Sequence, residues 1–177
     1  PAYGLVKTFQ IPREFGGLTV LENVMVAARG QPGENPLRSL VSGARMWAAE
    51  EETEDRARSL IDYVGLSTLA EEPSRVLSGG QRKLLELARA LMVDPDLILL
   101  DEPVAGVNPT MALKLMDLVR RLREQGKTFL FIEHDMDIVF SISQSIMVMH
   151  QGRTLIQERP EEVRQNKEVQ EAYLGGE

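Results

Sequence analysis

The chain has 177 residues, 43% of them hydrophobic, which supports one core with room for a small second lobe. Its net charge of −7 excludes the basic composition of a general nucleic-acid binder, and the lack of cysteine excludes disulfides and thiolate metal sites. No apolar run reaches membrane-spanning length, because the richest, residues 97–100, is stopped by Asp101 and Glu102, and no signal peptide is visible.

Residues 3–10, YGLVKTFQ, predict a short strand running into a loop. PREFGGLT continues as loop, broken by Pro12 and the pair Gly16-Gly17. TVLENVMVAARG predicts a helix with Thr19 as N-cap and Gly30 as stop, and QPGENP is a turn-rich loop. From about residue 41 to 64 the pattern is helical again, ending at Gly65. LSTLAEEPSRVL connects to a helix over 79–93, with Leu84, Leu87, Ala88 and Leu91 on one face. DLILLDEP is a continuous apolar run of strand length, as expected for a strand covered on both faces. Met111, Leu115, Leu118, Val119 and Leu122 then stripe a helix whose outer face carries Lys114, Asp117, Arg121 and Glu124. KTFLFIEHD predicts a second buried strand, MDIVFSIS a short helix, SIMVMHQG a third strand and GRTLIQE an edge strand, before two closing helices. The alternation predicts an α/β fold, a parallel sheet with flanking helices. Residues 20–93 read as an inserted α-helical subdomain between two parts of a core, 1–19 and 94–177.

In parallel sheets ligands bind beyond the carboxyl ends of the strands. Asp101 and Glu102 stand at such an end, after LILL and before the strand-ending Pro103. An isolated Asp-Glu is ordinarily a solvated turn. At a buried strand end the pair suits two tasks: Asp101 for Mg²⁺ through a bound water, Glu102 to orient and deprotonate an attacking water. His134 follows another predicted strand and becomes a candidate contact for a γ-phosphate, whereas His150 has no such company and reads as structural. Ser78, Gly79 and Gly80 precede a helix, and exposed N–H groups with the helix dipole make an anion site there. Taken alone, Ser-Gly-Gly is an ordinary capped helix. The ordered set LSGGQ, LILLDEP and EHD is not expected by chance.

With these motifs the chain resembles the ATP-binding subunits of ABC transporters. Leu77, Ser78, Gly79, Gly80 and Gln81 match the family signature, and residues 98–102 match the Walker B strand with its catalytic glutamate. His134 matches the switch histidine, and Gln10 the Q-loop glutamine that in the family senses Mg²⁺ and the membrane partner. TFQ…LTVLENV, DEPVAGVNP, IEHDMDIV and EAYLGGE are similar to the ATPases of branched-chain amino acid uptake. Ala105-Gly106-Val107-Asn108 replaces the SALD usual after Walker B and makes Asn108 a nucleotide-site candidate. The resemblance implies a P-loop NTPase-like core and ATP with Mg²⁺. It also implies a second ATPase subunit packed head to tail, identical or not, two transmembrane permease subunits, and a periplasmic or lipid-anchored substrate-binding protein. The place implied is the cytoplasmic face of the membrane. Residues 18–29, with the Q-loop, are the expected contact with the membrane subunits.

A phosphate loop reads G-x-x-x-x-G-K-[ST] between a strand and a helix. The one Gly-Lys-Thr here, residues 126–128, has Arg121 where the first glycine belongs, and lies between a helix and a strand. In the family the loop precedes the Q-loop strand, and this chain begins at Pro1, just before that strand. It therefore reads as a C-terminal fragment, with a trimmed or processed terminus as the alternative. Losing three charge-assisted hydrogen bonds of about 1.5–3 kcal/mol each removes at least ~4.5 kcal/mol, about three decades of affinity. The fragment alone is expected to hydrolyse little or no ATP, and its sheet to expose a face or edge. Two other readings remain open: a degenerate, non-catalytic module that only pairs with an intact ATPase, and a chromosome- or repair-type ATPase. The third lacks the long coiled coil it needs, since no sustained heptads occur.

Overall fold

Three short strands run side by side in parallel in the order β1-β2-β3, namely β1 (Leu5–Lys7), β2 (Leu97–Asp101) and β3 (Thr128–Ile132). The computed structural model describes residues 4–7, 14–28 and 43–174, and divides into two units, residues 1–132 and 133–177. Lys7 pairs with Leu99, and Asp101 with Ile132, so all three strands end toward one edge of the sheet. Central β2 buries Ile98 and Leu100, as its apolar run requires.

Helices α1 (Val20–Met25), α2 (Gly43–Val64) and α3 (Gly79–Met92) stand between β1 and β2 in the chain and pack on one another. Thr19 caps α1 as expected: its Oγ1 accepts from Glu22 N–H (3.1 Å), and Glu22 Oε2 accepts from Thr19 N–H (2.7 Å). The helix stops at Met25 with Val26 as its C-cap, short of the expected stop at Gly30, which itself lies outside the described residues. Val20 and Val24 of α1, Ile61 and Val64 of α2, and Leu84 and Leu87 of α3 are buried, which is the apolar stripe that binds these helices together. Asn23 is buried among them, and its amide satisfies the loop before α1: Oδ1 takes Phe15 N–H (2.9 Å), and Nδ2 donates to Thr19 O (2.8 Å). Helix α4 (Pro109–Glu124) returns from β2 to β3 with Leu115, Leu118, Val119 and Leu122 buried, matching its predicted stripe.

Two sequence expectations need correction. KTFLFIEHD reads as a buried strand, but β3 is only half covered: Leu130 and Ile132 are each 57% exposed, on one of the two edge strands. Periodicity reports an apolar strand, while cover depends on neighbouring layers. SIMVMHQG reads as a third strand of the parallel sheet. In the second unit β4 (Ile146–His150) instead pairs antiparallel with β5 (Arg153–Glu158). The turn decides this. Gln151 (φ +46) and Gly152 (φ +77) make a two-residue loop with both φ positive, the geometry that closes tight hairpins. Helices α5 (Met136–Ile142), α6 (Pro160–Gln165) and α7 (Lys167–Val169) complete that unit, with Val139, Ile142, Val148, Val163 and Val169 buried.

Candidate functional site

Asp101 is the last residue of β2, and its carboxylate, 29% exposed, lies 3.6 Å from Lys7 Nζ at the end of β1. Glu102 leaves the strand with φ +45, a left-handed conformation that costs a non-glycine residue about 1–2 kcal/mol. The chain therefore turns sharply between the two acids. Glu102 N–H donates to Ile132 O (3.0 Å), and the Glu102 carbonyl accepts from Ala105 N–H (3.2 Å) and from Lys83 Nζ (3.3 Å). Strand pairing fixes Asp101, and these bonds fix the turn that follows it.

The Ser78 turn forms as its sequence predicts. Ser78 Oγ accepts from Gln81 N–H (3.4 Å), and Gln81 Oε1 accepts from Ser78 N–H (2.8 Å), a reciprocal cap on α3. Gln81 therefore spends its oxygen on the cap and keeps only Nε2 as a donor. Leu77 is buried and anchors the turn. The first bond within the helix is Arg82 N–H to Ser78 O (2.9 Å), so the earlier N–H groups of Gly79 and Gly80 precede the helical ladder. A Cβ on Gly79 would meet nothing closer than Gly106 O at 3.9 Å, but one on Gly80 would meet Met111 Cγ at 3.0 Å and Val107 Cγ1 at 3.3 Å. The signature turn thus lies against the loop that leaves Glu102. Asn108 ends that loop as the N-cap of α4, its Oδ1 accepting from Met111 N–H (3.0 Å), with Pro109 next.

Asp101, Glu102, residues 77–81 and Asn108 all belong to the first unit. His134 belongs to the second: its side chain is 74% exposed, and its N–H donates to Glu133 Oε2 (3.2 Å). Gln10 lies outside the described residues. His150 packs edge-on to Tyr173, whose hydroxyl donates to Met149 O, which agrees with a structural role. The Gly126-Lys127-Thr128 decoy lies at the start of β3, the end of the sheet remote from Asp101. Lys127 Nζ bonds Asp94 Oδ1 there (2.6 Å).

Sequence reasoning missed Lys83 and Lys7. Lys83 had a signal: it stands four residues before Leu87, inside the apolar stripe of α3, and is 8% exposed. Lys7 had none, because its nearness to Asp101 follows from strand register alone. Among the described residues no cluster of three acids or histidines could cage a metal by itself. The donor set suits Mg²⁺ held chiefly by phosphates and water, for which one partly exposed carboxylate such as Asp101 suffices. The N–H groups of Gly79 and Gly80, which precede the helical ladder, suit a phosphate oxygen.

Residues 3–105 match the model of the ABC transporter family, and residues 159–177 match a model of the branched-chain amino acid ATP-binding cassette transporter. The chain is 41% identical over 172 residues to the probable branched-chain amino acid transport ATP-binding protein LivG of Archaeoglobus fulgidus, covering 97% of itself and 66% of that protein. It is 38% identical to the high-affinity branched-chain amino acid transport ATP-binding protein LivG of Escherichia coli, covering 97% of itself and 68% of that protein. Among solved structures, the ADP conformation of MJ1267, an ATP-binding cassette of an ABC transporter, superposes with a TM-score of 0.79 at 37% identity, covering 99% of this chain and 70% of that one. The chain thus spans about two thirds of the length of the relatives it matches.

Proposed function

The chain belongs to the ABC transporter family, and on that premise we propose that it carries the signature and acid half of the ATP site in the hydrolysing subunit of an importer for branched-chain amino acids. The observation that carries this reading is one arrangement in the first unit. Asp101 ends the central parallel strand, Glu102 follows it directly, and the α3 N-terminus abuts the loop that leaves them. The solute class is supported by the names of the relatives and by the match over residues 159–177.

ATP with Mg²⁺ brings the transferable phosphoryl group and the metal charge. Asp101 would hold the metal through water. Glu102 orients the attacking water and takes its proton. The N–H groups of Gly79 and Gly80 grip phosphate oxygens of a nucleotide held by a second ATPase subunit packed head to tail. From their sequence motifs alone, Gln10 would serve the metal and His134 the γ-phosphate, and Asn108 keeps the loop before α4 in shape. The partners are that second subunit, two permease subunits that meet the helical subdomain of residues 20–93 near 18–29, and a substrate-binding protein. The place is the cytoplasmic membrane face. Among the described residues no helix is long and apolar enough to cross a membrane.

A second reading, a pairing module that completes a partner's site without hydrolysing ATP itself, is favoured by the intact reciprocal cap at the signature turn. Titration separates the two. A polypeptide of these 177 residues should bind ATP at about millimolar affinity or weaker and turn over none at micromolar ATP. Added to an intact ATPase subunit, it should change that subunit's dimerisation or turnover. Turnover at micromolar ATP that Glu102→Gln abolishes would show hydrolysis without a partner. No effect on an intact subunit would count against pairing.

A further inference from the structure

Glu102 is held in a conformation that non-glycine residues rarely adopt (φ +45), and the bond from Lys83 to its carbonyl comes from a different element, α3. Lys83 is 8% exposed, and a lysine is almost never buried to that degree without a partner for its charge. A methionine would fill the same volume without that cost. Among what this ammonium bonds is Glu102 O at 3.3 Å, the same carbonyl that accepts Ala105 N–H at 3.2 Å. Helix α3 meets the acid loop a second time, where Gly80 abuts Val107 and Met111.

From these contacts we infer that Lys83 is a positioning residue. Its ammonium holds the Glu102 carbonyl, and with it the left-handed turn that aims the Glu102 carboxylate. It thereby ties the acid turn to the helix whose N-terminus is the signature turn. The signature turn and the water-activating acid are then both tied to one helix. The catalytic meaning of this tether rests on the proposed role of Glu102, but the tether itself does not.

The test is NMR on the full 177-residue chain as wild type, Lys83→Met and Lys83→Arg. Methionine keeps the bulk and removes the charge, while arginine keeps the charge. In Lys83→Met the Glu102 Cα and Cβ shifts should leave their left-handed values. Amide protection at Glu102 and Ala105 should fall about tenfold or more relative to Ile98 and Leu100. Lys83→Arg should keep both near wild type. Unchanged Glu102 shifts, or a protection loss spread evenly through the unit, would mean Lys83 only fills space and would overturn the inference. Should Lys83→Met not fold, the wild-type chain decides. A slowly exchanging Lys83 ammonium coupled to the Glu102 carbonyl supports the tether, and a freely exchanging one overturns it. None of these readouts involves turnover, so failure of the proposed ATPase role is detected separately, by Glu102→Gln.

Discussion

Gly79 and Gly80 are neighbours in one helical turn, yet only Gly80 lacks room for a side chain. Alanine is favoured over glycine in a helix by about 1 kcal/mol, whereas overpacking a tight site costs about 1–3 kcal/mol. Gly79→Ala should therefore be neutral or stabilising, and Gly80→Ala less stable than Gly79→Ala by about 1–3 kcal/mol, read by urea denaturation. Equal stabilities would mean that Met111 moves aside freely. The Ser78 cap was legible in the sequence because capping is local: Ser78 and Gln81 recognise each other across three residues. The crowding at Gly80 was not, since it depends on Val107 and Met111 from another helix and its loop. Lys83 lies between these cases. Its place in the Leu87 stripe was visible, but its carbonyl partner was not.

Helix α4 is defined at both ends by local chemistry: Asn108 and Pro109 start it, and Gly126 (φ +94) turns the chain out of it. Just beyond, Lys127 bonds Asp94, which follows α3, and this bond holds the Asp94 carboxyl below its ordinary value of 3.8. A depressed acid contributes stability above its unfolded-state pKa and loses it as pH falls through the lower folded-state value. Asp94 is 69% exposed, so solvent screening limits the contribution to at most about 1 kcal/mol. Wild type and Asp94→Asn should accordingly differ slightly at neutral pH and converge as the pH drops below 3.8. A difference that persists or grows in acid would assign the effect to something other than this pair. The same bond explains the decoy: Gly-Lys-Thr here is a helix-to-strand turn whose lysine serves a carboxylate. The order of flanking elements, readable in the sequence, already separated it from a phosphate loop.

Across the whole chain, element types followed from periodicity and caps, because each helix and strand carries its own signal. Partnerships between strands did not, because they depend on layers and turns. β4 reads like β2 in hydrophobicity but takes the partner its Gln151-Gly152 turn delivers. β3 reads as covered and leaves Leu130 and Ile132 exposed. The acid pair was legible as a strand-end turn because strand and breaker bracket it, while the left-handed φ of Glu102 was not, because no glycine announces it. The central claim, that Glu102 is the water-activating acid, is tested most directly by ATP turnover in a chimera. The N-terminal part of the archaeal relative, 41% identical to this chain, would be joined ahead of Pro1. The chimera should hydrolyse micromolar ATP, and Glu102→Gln should lower turnover about a hundredfold or more while ATP binding is retained. A Glu102→Gln chimera that binds ATP and hydrolyses it as fast as its parent would contradict the account.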